Sequence, residues 1–565
     1  MIYVRPSFFE TQQVVLGFSR TVEEVMTKKN LYAQHTVSAT ATPISEPIPG
    51  REAEMGVNNG GGVAFKISNM SALRRFLILG TDGGTYYLSE KAHTLNNIRV
   101  VEYAVRENAR AVLTEVVDIA TKGRAMKKDA AIYTLAYLIK RAENVAVRQE
   151  AAKSVNLVCS IGTDILMLAQ FIEAMGGWGR NTHRAFETWY NMPPEDLAFQ
   201  AMKYQSRNGW SHRDVLRKVR PKPQSEDQRA VLRWITKGWE GDLGIVAPED
   251  ATRRLWAFEV AKTLTDTPQD VARCICLIND YRLPRECVPT HMLNHKEVWE
   301  ALLQSMGPTA LVRNLGKMTN VGLLVPLSQA AKTVAGKLKD PEFVKKGKLH
   351  PLRTLVALKL YAQGHGDKGS LSWAPVPQIK DALDTAFYNG FSAIEPTGKN
   401  HLLALDVSGS MSSRMGTTPL TCHEATAALA MIRARVEENY YVMGFSNVFV
   451  DLGITKSMTL GQAMERTHRS DFSTTNCALP ANWAADNRIE VDVLEIYTDN
   501  ECNFGGHPTQ ALQRYRDKMG RDVRQVVCGM TSTGFSIADP GDPKQLDVVG
   551  FDAALPEIVN NFLTL

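Results

Sequence analysis

The sequence predicts two fold classes in one chain of 565 residues: an α-solenoid of paired helices, then an α/β domain with a doubly wound parallel sheet. Three observations predict this. From residue 68 to about residue 393 apolar side chains recur at helical spacing, helix after helix with short breaks and no series of strands. From Thr397 onward short apolar runs alternate with helical stretches, which is how strand–helix–strand units read. The first such run, residues 402–407, carries Asp406 near its end with Ser408 and Ser410 behind it. An open parallel sheet binds ligands at the carboxyl ends of its strands.

Taken in order, residues 1–29 read as a helix with no clear partner. Residues 35–62 are rich in Thr, Ser, Pro and Gly and end in Asn58-Asn59-Gly60-Gly61-Gly62. That composition buries too little apolar surface to fold, so residues 1–66 are expected to be a flexible extension. The helical module follows over 67–396. Ile98, Val101 and Val105 share one face; Val112, Leu113, Val116 and Val117 form the next, up to the C-cap pair Lys122-Gly123. Ile132, Leu135, Ala136 and Ile139 repeat the pattern, then Val147, Ala151 and Val155, then Leu166, Leu168, Phe171 and Ile172. The repeats are HEAT-like in pattern, with too little identity between them to fix a period. Ser211 and Asp214 are spaced as a capping box, so a helix should start at residue 212. Its free N–H groups, with Arg213, Arg217 and Lys218 beside them, suit a phosphate.

Residues 395–399 form the linker into the second domain, 397–565. Strands are expected there at 402–407, 440–446, 491–498, 523–529 and 547–551. Helices are expected near 423–438, 479–486, 508–519 and 556–563.

Composition narrows the function. The net charge of +5 hides an asymmetry: 14 basic and 20 acidic side chains from Thr397 onward, against 51 and 40 before it. A basic helical part suggests a polyanion partner. No apolar run approaches a bilayer span and the first twenty residues lack a signal-peptide layout, so no membrane role is expected. Eight cysteines (159, 274, 276, 287, 422, 477, 502, 528) are scattered with no disulfide-like framework, which suggests a reducing, cytoplasmic setting. His291 and His295 lack a third ligand for zinc. With no GxxxxGK[ST] loop, GxSxG elbow or nucleophile–base pair, the chain is not expected to be an enzyme.

Asp406, Ser408 and Ser410 are hard oxygen donors on one turn, the set a magnesium-like ion prefers. A second β-rich run, 491–498, ends at Asp499, and Ser473-Thr474-Thr475-Asn476 lies between the two runs. This order resembles the von Willebrand factor A domain with its metal-ion-dependent adhesion site. The resemblance implies a divalent cation, Mg2+ or Mn2+, held by Asp406, Ser408, Ser410, Thr475 and Asp499. Thr474 is the rival for the middle role; the spacing to Cys477-Ala478-Leu479-Pro480 favours Thr475. It also implies a position left free for an acidic group from a protein partner.

Further segments run in order along the chain. They are Gly80-Thr81-Asp82-Gly83-Gly84-Thr85-Tyr86-Tyr87, then residues 207–214, 234–239 and 311–318, then His350-Pro351 and Gly364-His365-Gly366. In the second domain come Thr498-Asp499-Asn500-Glu501, VCGMTSTGFSIADP at 527–540 and DVVGFD at 547–552. Together, from about Ser68 to the C-terminus, they resemble the TROVE-domain family of Ro autoantigens. The resemblance implies a ring of helical repeats closed by the von Willebrand A domain, and a monomer is expected. It implies single-stranded 3′ ends of misfolded noncoding RNA in the hole, Y-like RNA on the basic outer surface, and exoribonucleases reached through a tethering RNA. Shape rather than sequence would then be sensed, with salt-sensitive affinity. Candidate RNA contacts lie in the basic, glycine-broken stretch 176–220: Arg180, Arg184, Lys203, Arg207, His212, Arg213, Arg217 and Lys218, with His212 the strongest single candidate. The competing function is a protein-binding scaffold that captures an acidic ligand at the metal site.

Overall fold

The computed structural model describes residues 41–564, apart from 244–246, 368, 392–393 and 469–473. The helix expected within residues 1–29 and the loop residue Ser473 lie outside the described residues. Residues 41–66 are not the flexible extension their composition suggests. β1 (Met55–Val57) and β2 (Val63–Lys66) form an antiparallel hairpin, and β2 pairs in turn with Phe535 and Ser536 of the second domain. Ile44, Met55, Val63 and Phe65 are buried. The segment folds because its partner, far along the chain, supplies the apolar surface that it lacks itself.

The helical module follows the predicted faces. Ser68 caps Asn69–Leu79, Ser89 caps Glu90–Lys122, and Gly123 closes the latter in the left-handed region at φ 67°. Val101, Val105, Val112, Val116, Ile132, Leu135, Val147, Val155 and Leu166 are buried in one continuous core. Successive helices pack on their neighbours: Asp129–Arg141 on Val145–Lys153 and Gly162–Ala174, Pro194–Lys203 on Glu226–Lys237 and Arg253–Thr263, Pro268–Tyr281 on Lys296–Ser305. Pro351–Gln363 packs on Pro308–Asn320 and Pro377–Asn389. A short hairpin, β3 (Ser206–Arg207) and β4 (Trp210–Ser211), interrupts the series where Asn208 and Gly209 take positive φ.

The two ends of the helical series meet. Lys348 Nζ donates to the Thr121 carbonyl, His350 Nε2 to Arg124 O at 2.9 Å, and Arg353 Nε to Met126 O at 3.2 Å.

In the second domain β5 (His401–Asp406), β6 (Tyr440–Phe445), β7 (Phe449–Asp451), β8 (Val493–Thr498), β9 (Arg524–Gly529), β10 (Phe535–Ser536) and β11 (Gln545–Val549) occur in chain order. All but β10 join one sheet in the order β11-β9-β8-β5-β6-β7, parallel except for β7. Leu402 and Ala404 of β5 enter one apolar cluster while Leu403 and Leu405 enter the other, which continues into the helical module. Both faces of the sheet are therefore buried, as its unbroken apolar strands require. β5 pairs with both β6 and β8, so the topological switch point lies at the ends of β5 and β8.

The second domain touches both ends of the helical series. Arg75, fully buried on the first helix, donates to Thr533 O at 3.1 Å and to Asp547 Oδ1 at 2.5 Å. Ser532 Oγ lies 2.9 Å from His93 Nε2. At the far end Lys359 pairs with Glu424, and Asp384 accepts from the Leu460 N–H at 2.7 Å and pairs with Arg435 at 3.2 Å. Arg124 joins all three parts. Its guanidinium reaches Asp118 at 2.7 Å and Asp552 at 2.6 Å, and its carbonyl accepts from His350 and from the Ala553 N–H.

Two outcomes follow. Arg124→Ala strands the nearly buried Asp552 carboxylate, and such losses cost about 3–5 kcal/mol; a denaturant titration should show that drop, whereas an unchanged midpoint would remove Arg124 from the junction. His350 Nδ1 accepts the Leu352 N–H, so Nε2 carries the proton given to Arg124 O, and burial pushes the imidazole down to about 4. The unfolded chain takes up this proton as pH falls through about 6.5 and the folded chain only near 4. Stability present above that window is lost across it, by up to about 3 kcal/mol. Denaturant midpoints measured against pH should slope accordingly, and His350→Asn should flatten the slope.

Candidate metal centre and basic surface

Four of the predicted metal donors, Asp406, Ser408, Ser410 and Asp499, come together at the switch point, and the fifth, Thr475, lies on a loop bonded to Asn503 and Phe504 just beyond Asp499. Asp406 ends β5 and is fully buried; Oδ1 accepts the Ser408 N–H at 3.0 Å and Oδ2 accepts the Thr498 hydroxyl at 2.6 Å. The Ser408 and Ser410 hydroxyls lie 3.2 Å apart, beside Asp499, the residue after β8. Asp499 Oδ1 accepts the Glu501 N–H at 3.1 Å. Thr475 is buried and Thr474 only half-buried, which favours Thr475 as the middle donor. Its loop is tied back by Asn503 Oδ1, which accepts the Thr475 N–H at 2.9 Å, and by Thr475 O, which accepts from Asn503 and Phe504.

Two carboxylates buried together repel. Burial, and then the charge of Asp499, pushes the Asp406 carboxyl up to about 7; burial pushes Asp499 up as well. Among the described residues neither forms an ion pair with Lys, Arg or His, and no cluster of three or more His, Cys, Asp or Glu forms a metal site. The hydroxyls are therefore essential to the donor set. Two carboxylates and three hydroxyls, without sulfur or imidazole, fit a hard divalent cation such as Mg2+ or Mn2+, which would neutralise the buried charge.

Three neighbours carry roles the sequence reading did not assign. Thr498, inside a quoted segment, orients Asp406. Glu501 is pushed up to about 7 by burial and then by Asp499, and it accepts from Asn59 Nδ2 at 2.7 Å and the Gly60 N–H at 2.9 Å. A Cβ on Gly62 would lie 1.9 Å from Cys502 O, so the glycine run exists for close backbone approach. Tyr87, from the helical module, lies close to Ser410 and Asp499; burial and then Asp499 push its hydroxyl up to about 12. A cavity of about 90 Å3 between the domains reaches Ser410 and Asp499 and is walled by Gly80, Asp82, Tyr86 and Lys127.

The expectation that the cysteines stay unpaired fails at this centre. Cys477 and Cys502 form a disulfide, with Cα atoms 6.1 Å apart. Their 25-residue separation shows no motif because the loop before helix Leu479–Asp486 and the loop after β8, not local spacing, bring them together.

The predicted basic residues divide. Arg180, Arg184, Arg207, Arg213, Arg217 and Lys218 are exposed, and Lys203 is half-buried against the Phe199 and Tyr204 rings. Arg217 lies 3.9 Å from Asp214 and Lys218 3.5 Å from Glu173; Arg180, Arg184 and Arg207 make no ion pair with a described residue. The capping box is present, with Ser211 and Asp214 bonding each other's backbone. His212 is a correction. It is 3% exposed, its ring stacks on Trp189, and Nδ1 lies 2.8 Å from the Tyr190 hydroxyl. The helix start turns residue 212 inward and residue 213 outward, so His212 anchors the helix and cannot touch RNA.

Together the fold and site define a helical-repeat module joined to a von Willebrand A domain that carries a candidate metal centre. The comparisons agree. The family described as the TROVE domain matches residues 56–240 and 283–359, and the Ro60 vWA domain matches 400–563. The chain is 41% identical to the RNA-binding protein RO60 of Deinococcus radiodurans, over 92% of this chain and 97% of that protein. It is 33% identical to the RNA-binding protein RO60 of Caenorhabditis elegans, over 90% of each. The crystal structure of the Deinococcus radiodurans RO (RSR) protein superposes with a TM-score of 0.66, covering 88% of this chain and 99% of that one. The chain belongs to the Ro family of TROVE-domain proteins.

A cation at 100 times its dissociation constant should stabilise the protein by about 2.7 kcal/mol, read as a rise in melting temperature on adding Mn2+. Asp406→Ala should abolish that rise, and a rise that persists in the variant would remove Asp406 from the donor set.

Proposed function

We propose that this chain is an RNA-binding protein of the Ro type, acting on Y-like and misfolded noncoding RNAs in RNA quality control or as a ribonucleoprotein scaffold. The observation that carries the reading is the group of exposed basic side chains on 180–218, four of them (Arg180, Arg184, Arg207 and Arg213) without an ion pair among the described residues, in a family whose relatives bear RNA-binding names. Residues 67–396 serve as the RNA-binding module and 397–565 as the domain that closes it. The meeting of residues 121–126 with 348–353 supports a closed ring, through which a single strand can thread and a duplex cannot. Structured RNA then lies along the outer basic face, held through phosphates. The protein works as a cytoplasmic monomer, and an exoribonuclease joins through a tethering RNA.

Capture of an acidic protein ligand at the metal centre is the weaker reading. All five donors are at most 5% exposed, and the adjoining cavity is roofed by the helical module. A cation there serves the chain's own architecture more readily than a docking protein.

Binding of a structured RNA, with and without a single-stranded 3′ tail, should be tail-dependent and salt-sensitive when followed by fluorescence anisotropy. Arg213→Glu with Arg217→Glu should weaken binding to every RNA and lower the log–log salt slope by about 0.7–0.9 per lost phosphate contact. Unchanged affinity and slope would move the RNA surface elsewhere.

A further inference from the structure

The metal-centre loops are joined by one covalent link. Thr475 lies two residues before Cys477, and Asp499 three residues before Cys502. The 475 loop and the 499–504 loop come from opposite ends of the segment containing helix Leu479–Asp486 and β8. Besides the bridge, hydrogen bonds of Thr475 with Asn503 and Phe504 tie the two loops. The 6.1 Å Cα separation lies within the range that disulfides span without backbone movement. The other described cysteines, 159, 274, 276, 287, 422 and 528, are unpaired. The bridge also sits under the N-terminal glycine loop, since Asn58 Nδ2 donates to Cys502 O at 2.9 Å.

We propose that Cys477 and Cys502 are a reversible dithiol–disulfide clasp whose oxidation state and the cation occupancy of the centre reinforce each other. The proposal rests on the divalent-cation reading of the five donors. In the oxidation step the two thiols give up two protons and two electrons and form the S–S bond. Hydrogen peroxide, as the oxidant, takes both and becomes two waters. Reduction by a dithiol passes through a mixed disulfide that returns both sulfurs to thiols and leaves the reductant oxidised. Cys477 is 1% exposed and Cys502 fully buried, so reductant reaches them only when the two loops part. Donors that hold Thr475 and Asp499 together on a cation oppose that parting. In turn, the bridge holds the two loops in register before a cation arrives, which lowers the entropy lost on binding. Coupling between two binding or bonding events in one molecule is reciprocal.

The test uses the full-length protein, oxidised with hydrogen peroxide or reduced with a phosphine and desalted, and Mn2+ as the probe. Thiols are counted by alkylation under denaturing conditions with peptide mass analysis, and Mn2+ affinity is measured by calorimetry. The oxidised protein should protect residues 477 and 502 from alkylation and bind Mn2+ about fivefold or more tightly than the reduced protein. Mn2+ should also slow reduction of the bridge by dithiothreitol. The double variant C477S/C502S should lose the redox dependence of Mn2+ affinity. Full alkylation of both cysteines after peroxide treatment overturns the clasp. A bridge that forms while Mn2+ affinity stays equal in both states overturns the coupling alone. A bridge with no Mn2+ binding in either state overturns the cation reading, and the coupling with it.

Discussion

The Arg124 guanidinium is the constraint on which the arrangement of the whole chain depends. It sits just after the long second helix, where the helical series begins its circuit, and it binds Asp118 beneath it and Asp552 of the second domain. Its backbone carbonyl receives both His350, from the last part of the circuit, and Ala553. Start, end and closing domain therefore share one residue. A buried ion pair of this kind adds little net stability over an apolar contact, but it leaves few alternative geometries, because each donor must meet its own acceptor.

The metal centre depends on that same closure. Tyr87 and the wall formed by Gly80, Asp82 and Lys127 belong to the helical module, whereas Ser410 and Asp499 belong to the sheet. The centre therefore borders the helical module, while the buried carboxylates are bonded within their own domain, Asp406 to Ser408 and Thr498 and Asp499 to Glu501. Burial, and then the charge of Asp499, pushes Asp406 above its ordinary range although it lies at a strand end.

What could be read from the chain was local. Asp406, Ser408 and Ser410 were legible because a strand end and one turn hold them within five residues. Asp499 was legible because its strand announces itself by a β-rich, mostly apolar run over 491–498. The helical faces were legible because period 3.6 survives divergence. What was not legible depended on distant partners. Residues 41–66 look unable to fold, since the surface that completes them lies at Phe535 and Ser536. Cys477 and Cys502 carry no spacing signal, since a helix start and a separate strand end bring them together. His212 was misread for a subtler reason: the capping box fixes where a helix starts, but the side of the helix that each residue occupies is set by Trp189 and Tyr190 on another helix.

The hairpin of β1 and β2 has a consequence for synthesis. Asn58 is bonded to Asn500, 442 residues later, and β2 finds its only described outer neighbour in β10. At ribosomal speeds of about 5–20 residues per second, this segment waits roughly 20–90 s before its partner exists. During that interval its strand edge is unsatisfied, while the helices between can already pack on one another. The glycine loop is thus made long before its partners and finds its place only once residues 500–536 exist.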